Sequence, residues 1–343
     1  MTSIIGWDIG GAHLKAALWR DGSIEAVAQV PCTLWLGVKH LEEDWRSVMA
    51  ELGPAERHAV TMTGELAEVF ASRKEGVRAI CRTVAGLAGH MPVRFYAGPQ
   101  GFLAEAEAVR AWKSVASANW HASARWAGRN WPDAVFLDIG STTTDIIPIA
   151  GGVPVARGFT DAERLEAGEL VYTGVVRTSL MALAERVPFA GGWQGVMAEN
   201  FATTADIYRL TGELAAEDDS YPATDGRTKG AEDCRARIAR MLGRDASEAN
   251  AAAWLQVARF FRERQMRLIE DAVAQVLSGA APEADAPYIA VGAGRAIVHA
   301  LAKRAGRPGV SCGTHIPAAD EAVRRKAEIC LPAAAVAMLA AQS

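Results

Sequence analysis

Two short turns, each carrying an aspartate and a glycine and each placed at the end of an apolar strand-like run, constrain this chain more than anything else in it. The first is Gly6-Trp7-Asp8-Ile9-Gly10-Gly11-Ala12-His13-Leu14-Lys15, and the second is Phe136-Leu137-Asp138-Ile139-Gly140-Ser141-Thr142-Thr143-Thr144-Asp145. One Asp-x-Gly means little, because both residues are common in turns. Here the surroundings repeat as well. Ile4 to Ile9 reads as a strand, Leu14 to Trp19 as the next, and Asp21-Gly22 turns the chain into Ser23 to Val30. After a break at Pro132-Asp133, Ala134 to Asp138, Asp145 to Ala150 and Val153 to Gly158 follow the same order, the last two joined across Gly151-Gly152. A strand, acidic turn, strand, tight turn and strand occurring twice predict a duplicated α/β fold.

The residue types in the turns suit phosphate chemistry. Glycine lets the backbone approach a ligand closely, and successive N–H groups form an anion-binding nest. Ser141, Thr142 and Thr143 add hydroxyl donors, and Lys15 a positive charge. Asp8 and Asp138 repel a phosphate by themselves, so their expected role is to hold Mg²⁺, which bridges to phosphate oxygens. His13 lies inside the first turn, where either a neutral or a charged ring would serve as a phosphate donor. Neither turn has the spacing of a P-loop or of the dinucleotide fingerprint. A third element, Tyr288-Ile289-Ala290-Val291-Gly292-Ala293-Gly294-Arg295, is another apolar run closed by glycines.

Helical patterns are expected at Lys39–Leu52, Gly64–Ala71, Val77–Ala88, Ala104–Trp126 and Ala251–Leu277, and a strand at Val93–Ala97. Asp320–Ala341 also reads as helical, with Pro332 dividing or kinking it. Gly212–Cys234 is polar and reads as a long loop; its Asp225-Gly226-Arg227-Thr228-Lys229 segment would either clamp an anion or form an exposed turn. Thr160–Thr178 is dense in polar groups, among them Asp161, Arg164, Glu169, Tyr172 and Arg177, and reads equally as a cleft wall or a solvated connection.

At 343 residues the chain can build two subdomains with substantial cores. Half of it is hydrophobic and its formal charge is −4, an ordinary globular balance with no basic excess for nucleic acid. No apolar stretch is long enough to span a bilayer, and the start has no basic segment of the kind a signal peptide carries. Cys32, Cys81, Cys234, Cys312 and Cys330 are scattered and odd in number, against a disulfide framework or a zinc site. The expectation is a cytoplasmic protein.

The paired turns and the Gly292–Gly294 element resemble the actin, sugar kinase and heat-shock chaperone superfamily. That resemblance implies two RNase H-like subdomains facing each other across a phosphate-binding cleft, divided at 1–130 and 131–343, with an insertion around 160–250. It also implies a role for Gly292 and Gly294 beside a nucleotide base. Six segments narrow it: Gly6–Ala12, Thr61-Met62-Thr63-Gly64-Glu65-Leu66-Ala67, Ser117-Ala118-Asn119-Trp120, Asp138–Pro148, Thr160–Thr178 and Thr224-Asp225-Gly226-Arg227-Thr228-Lys229. They are similar to the hydantoinase/oxoprolinase-related branch linked to tetrahydromethanopterin one-carbon metabolism, and within it to the ether-forming condensing enzymes of methanofuran biosynthesis.

The resemblance implies a transferase that joins an aminomethylfuran-methyl diphosphate to the phenol of tyramine, tyrosine or a glutamyl derivative, releasing diphosphate. It implies Mg²⁺ on Asp8 and Asp138, and diphosphate on Gly10, Gly11, Lys15, Ser141, Thr142 and Thr143. Asp145 or Asp161 would be the general base, Arg227 and Lys229 would close over substrate, and Thr63, Glu65, Asn119 and Trp120 would form the acceptor pocket. ATP is not required for that chemistry. An ATP-dependent kinase or hydantoinase/oxoprolinase-like ATPase is the rival, kept open by the Gly292–Gly294 turn. Small-molecule substrates are expected, and neither nucleic acid nor membrane.

Overall fold

The structure is a computed structural model that describes residues 3–11, 13–219, 221–279 and 282–343. Ala12 of the first turn and Ser220 of the polar segment lie outside the described residues. The chain divides into two compact units. One comprises Met1–Asp133, Ile149–Arg164 and Cys312–Ser343, and the other Ala134–Pro148 and Leu165–Ser311.

The first unit is built on a six-stranded sheet. Its strands are β1 (Ser3–Ile9), β2 (His13–Arg20), β3 (Ser23–Pro31), β4 (Arg57–Met62), β5 (Val93–Tyr96) and β6 (Phe102–Leu103), in the order β3-β2-β1-β4-β5-β6. β1, β2 and β3 form the antiparallel meander read from the sequence, while β1, β4 and β5 run parallel. All seven residues of β1 are buried, because helices cover both faces of the sheet. On one face the helix Val38–Leu52 buries Leu41, Trp45, Val48 and Leu52 at helical spacing, and Trp45 stacks on Trp7 with ring centroids 3.6 Å apart. On the other lies the C-terminal helix Leu331–Ala340, every residue of which is buried. It can lie there because Gly6 has no side chain: a Cβ at that position would stand 2.7 Å from the Ala337 nitrogen.

The unit boundaries therefore differ from a single division of the chain near residue 130. The last segment returns to the first unit because a helix apolar all round has to be covered on every side. β4 was not anticipated, being a short run that opens on Arg57-His58. Two helix expectations also change. Gly64–Ala71 holds only a 3-10 turn at Gly64–Leu66, too short for an amphipathic stripe. Ala104–Trp126 is three helices, Glu105–Arg110, Trp112–Val115 and Asn119–Ala127, the last preceded by Ser117 with φ 51°. Pro332 does divide the C-terminal run, since Glu321–Ile329 ends at Cys330 and Leu331–Ala340 follows with proline in its first turn.

Two buried histidines are expected to make this unit acid-sensitive. Nδ1 of His58 accepts from the Trp7 indole at 3.0 Å, and Nδ1 of His121 lies 2.8 Å from the Tyr96 hydroxyl. Burial lowers both to about 4, the positive charge of Arg125 adding to the effect at His121. In the unfolded chain a histidine protonates near ~6.5. The folded form binds fewer protons, so stability is full above that pH and is lost as pH falls towards 4. Each histidine is expected to cost up to about 3 kcal/mol across this window. Urea titrations at pH 7, 5.5 and 4.5 should show the fall, and His58→Gln should remove part of it.

The second unit carries β7 (Ala134–Ile139), β8 (Thr144–Ala150, except its last two residues), β10 (Leu170–Val171), β13 (Tyr288–Val291) and β14 (Gly309–Ser311), with a separate hairpin of β11 (Arg186–Phe189) and β12 (Gly192–Gly195); β9 (Val153–Pro154) belongs to the first unit. The main sheet runs β10-β8-β7-β13-β14, with β9 paired to the end of β8. β7, β13 and β14 are parallel neighbours. The 29-residue helix Ala251–Gly279 has Trp254, Phe261, Ile269 and Val276 in the core, and Trp254 stacks on Phe189 of the hairpin at 5.0 Å. The polar segment 212–234 is largely irregular, as expected, until the helix Ala231–Met241 begins. All five cysteines are buried free thiols.

Candidate active site

The two acidic turns have the same internal geometry. In the first, the Gly10 N–H donates to the His13 carbonyl at 3.0 Å; in the second, Gly140 donates to Thr143 at 2.9 Å. The carbonyl following each aspartate is likewise held from a neighbouring parallel strand's turn, Ile9 by the Thr63 N–H at 2.9 Å and Ile139 by the Gly294 N–H at 2.8 Å. The Thr63-Gly64 turn of the first unit is therefore the counterpart of the Gly292–Gly294 turn of the second. That relation is invisible in the sequence, where Thr61-Met62-Thr63-Gly64 and Val291-Gly292-Ala293-Gly294 share only a final glycine.

Asp8 lies in the middle of the first sheet, 5% exposed, opposite Lys15 on β2 and Thr61 on β4. Cross-strand partners share a face, so these three side chains emerge together. Burial raises the Asp8 carboxyl above its usual range, and Lys15 opposes the rise. Asp8 Oδ1 and Thr61 Oγ1 are both buried without a hydrogen-bond partner. Such orphaned acceptors are uncommon and mark a place where another group belongs. Gly11 is open, with no atom within 4 Å of where a Cβ would be.

In the second unit, Asp138 is the penultimate residue of β7, beside the Gly292 backbone and opposite Val291 of β13. Ser141 and Thr142 have their hydroxyls 3.4 Å apart. Segment 174–177 clasps this turn: Val175 N–H donates to Gly140 O, and both Val176 and Arg177 N–H donate to Ser141 O, at 2.9–3.1 Å. Gln265 braces the clasp, donating to the Thr173 hydroxyl at 2.7 Å and the Gly174 carbonyl at 2.8 Å, while accepting from Tyr208 at 2.6 Å. Gly174, Thr178 and Gln265 were not singled out in the sequence as site residues, since only contact across 91 positions brings Gln265 to the turn. Asp145 stands on β8 opposite Leu170. Arg295 opens the helix after Gly294 and pairs with Asp218 at 3.0 Å.

The first unit also holds a buried polar group that the sequence showed only in pieces. Glu65 is 1% exposed. Its Oε1 accepts from the Ser117 hydroxyl at 2.7 Å and from Arg73 at 3.3 Å. Arg73 also donates to Ser117 at 2.9 Å and to Asp161 at 3.2 Å. Burial raises the Glu65 carboxyl, with Ser117 and Arg73 pulling the other way. Two residues beyond Ser117, Asn119 caps the Trp120 N–H at 2.8 Å. Trp120 is buried between Phe159, at 5.6 Å, and the Arg164 guanidinium, 4.2 Å from its ring centre. Arg73 was missed; it opens an amphipathic helix and looks there like a solvated charge.

Arg227 and Lys229 pair with acidic residues of their own polar segment. Lys229 binds the Asp219 carbonyl at 2.7 Å and its carboxylate at 3.3 Å, and Arg227 is exposed, 4.0 Å from Asp225. Asp225 is shared with buried Arg237, which also pairs with Asp206. Beside them a cavity of about 230 Å³ is lined by Arg177, Arg209, Asn200, Thr203, Asp219 and Tyr221 among others.

Two sheet-and-turn units with a repeated Asp-Ile-Gly geometry define an α/β protein with the actin-like ATPase fold. Two solved structures share the fold. Nucleotide-free acetone carboxylase, of ATP-dependent acetone carboxylation, aligns with 89% of this chain and 68% of its own at a TM-score of 0.56 and 11% identity. The PilM–PilN type IV pilus biogenesis complex aligns over 96% and 97% at 0.51 and 12%. The hydantoinase/oxoprolinase family model matches residues 56–316, and the chain belongs to that family. A curated relative from Methanocaldococcus jannaschii is 33% identical over 243 residues, 71% of this chain and 72% of its own, and is named (4-{4-[2-(gamma-L-glutamylamino)ethyl]phenoxymethyl}furan-2-yl)methanamine synthase. A Methanococcus vannielii protein of the same name is 35% identical over 126 residues, 37% of this chain and 56% of its own. Among the described residues no helix is long and apolar enough to cross a membrane.

Proposed function

We propose that this protein is an ether-forming transferase that joins the phenol oxygen of a tyramine, tyrosine or γ-glutamyl derivative to the methylene carbon of an aminomethylfuran, with diphosphate as the leaving group. The 33% identity to the Methanocaldococcus jannaschii synthase across most of both chains carries the reading. The product in that protein's name contains the phenoxymethyl-furan linkage such a reaction makes. The acidic turns supply what a diphosphate leaving group needs. Their glycine N–H groups and the Ser141–Thr143 hydroxyls suit phosphate oxygens, and these donors would strengthen as charge grows on the departing group.

Magnesium fits the donors present. Among the described residues no cluster of three or more His, Cys, Asp or Glu could hold a metal alone. Mg²⁺ is commonly held by one or two carboxylates with water and phosphate completing its shell. Asp8, with its orphaned Oδ1, is suited to such a role, and Asp138 occupies the matching position of the second turn. When bound, the ion would neutralise diphosphate charge. Lys15, opposite Asp8, would add a fixed positive charge in the first unit.

In the reaction the phenol O–H gives its proton to a carboxylate. The phenol oxygen forms a bond to the furan methylene, and the bond from that carbon to diphosphate breaks with its electron pair leaving on diphosphate. The furan ring delocalises positive charge at the methylene carbon, which favours early loss of the leaving group. The Gly292–Gly294 turn favours a second reading, an ATP-dependent enzyme.

Parallel assays on the pure protein with Mg²⁺ separate the two. Aminomethylfuran-methyl diphosphate with tyramine, tyrosine or γ-glutamyltyramine should yield ether and diphosphate without ATP. ATP hydrolysis with no ether would overturn the transferase reading.

A further inference from the structure

We infer that Glu65 is the residue that takes the phenol proton, with Arg73 and Ser117 holding it in position. The inference rests on the transferase reading above and assigns a step that reading leaves open between carboxylates.

A general base needs a lone pair free for the incoming proton and a fixed direction for it. Glu65 meets both requirements. Its Oε1 is bound by Ser117 at 2.7 Å and Arg73 at 3.3 Å, which fixes the carboxylate plane, while its Oε2 is buried with no partner. Asp161, whose Oδ2 accepts from Arg73 and lies 3.4 Å from the Ser117 hydroxyl, is by contrast partly open to solvent, its side chain 23% exposed against 0% for Glu65.

The Arg73 Nε, on the guanidinium that donates to Glu65, is also buried without a partner. Two unsatisfied polar atoms in one buried ion pair are uncommon in a well-packed interior. They are accounted for if the group receives a polar ligand, and Trp120, three positions after Ser117, packs on Phe159, two positions before Asp161, as an aromatic pair suited to a phenol.

The backbone is organised for the same end. Ser117 takes a left-handed conformation, φ 51°, that a non-glycine residue adopts only when its surroundings require it. Glu65 follows the Thr63-Gly64 turn, whose N–H holds the Ile9 carbonyl of the first acidic turn, so the carboxylate is rigidly tied to that turn. A carboxylate is a weak base for a phenol of pKa near ~10, and desolvation narrows the gap by raising Glu65. The charged groups facing it are Arg73 and, through Arg73 and Ser117, Asp161.

The test varies the acidity of the acceptor. With tyramine, Glu65→Gln should slow ether formation roughly 10²–10⁴-fold. With a ring-fluorinated tyramine whose phenol is already ionised at the assay pH, at least a tenfold part of that loss should disappear. The same comparison needs no variant in the wild-type enzyme. The tyramine rate should rise with pH through a carboxyl limb above the ordinary glutamate range, and that limb should be absent for the pre-ionised acceptor. A Glu65→Gln enzyme that keeps its tyramine rate, or loses the same factor with both acceptors, overturns the assignment, as does the same limb for both acceptors in the wild type. Wild-type protein that makes no ether from any acceptor overturns the transferase reading itself.

Discussion

Asp8→Asn is expected to lower ether formation by roughly 10²–10³-fold while leaving the fold intact and its stability unchanged or higher. The two outcomes have one cause. A carboxylate 5% exposed, with one oxygen unpartnered, is costly to ionise inside a protein, and Lys15 offsets only part of that cost. Asparagine has the same shape and no charge to desolvate. The sign of the pH effect follows. Because the folded-state pKa is raised, the wild type's stability falls relative to the variant as pH rises through that pKa. Denaturant midpoints at two pH values without Mg²⁺, set beside the diphosphate-release rate with it, check both halves. An Asp8→Asn protein that is clearly less stable and fully active would show the carboxylate to be structural.

Gly174→Ala should damage the second turn more than any comparably small change. A Cβ at Gly174 would lie 2.5 Å from the Ser141 carbonyl carbon and 2.6 Å from the Gly140 oxygen, both backbone atoms that cannot swing aside. The clasp of 174–177 on 140–141 would have to open, with the loss of up to three backbone hydrogen bonds. The expected cost is about 1–3 kcal/mol of stability, together with most of the transferase rate. Gly11→Ala is the contrast, since a Cβ there meets nothing within 4 Å and stability should change by less than about 0.5 kcal/mol. Urea midpoints of the two variants, measured together with their rates, would separate a steric effect from a general intolerance of side chains in the turns.

Much of the fold was legible because it is local. The meander Ser3–Pro31, the hairpin across Gly151-Gly152, the helix Ala251–Gly279 and the break at Pro332 all follow from periodicity and turn residues. β4 was not, since six residues that open on Arg57-His58 have too little pattern. His58 is tolerated there because the Trp7 indole hydrogen-bonds its ring. Ser117 was visible as part of a family-like segment, but not its positive φ. Arg73 and Gln265 looked like ordinary polar residues of helices.

The sequence by itself determined that the chain is a duplication, that each half presents an Asp-Ile-Gly turn at a strand end, and which family those segments resemble. These are properties of neighbours along the chain, set by strand alternation and by the turns glycine allows. Only the tertiary structure decided that Leu331–Ala340 packs against Gly6, that Thr63 and Gly294 hold equivalent carbonyls, and that Glu65, Arg73, Ser117 and Asp161 form one buried group. Such facts join residues up to hundreds of positions apart. Contact, burial and an unpaired oxygen arise only when distant segments exclude water together, and no local pattern records that.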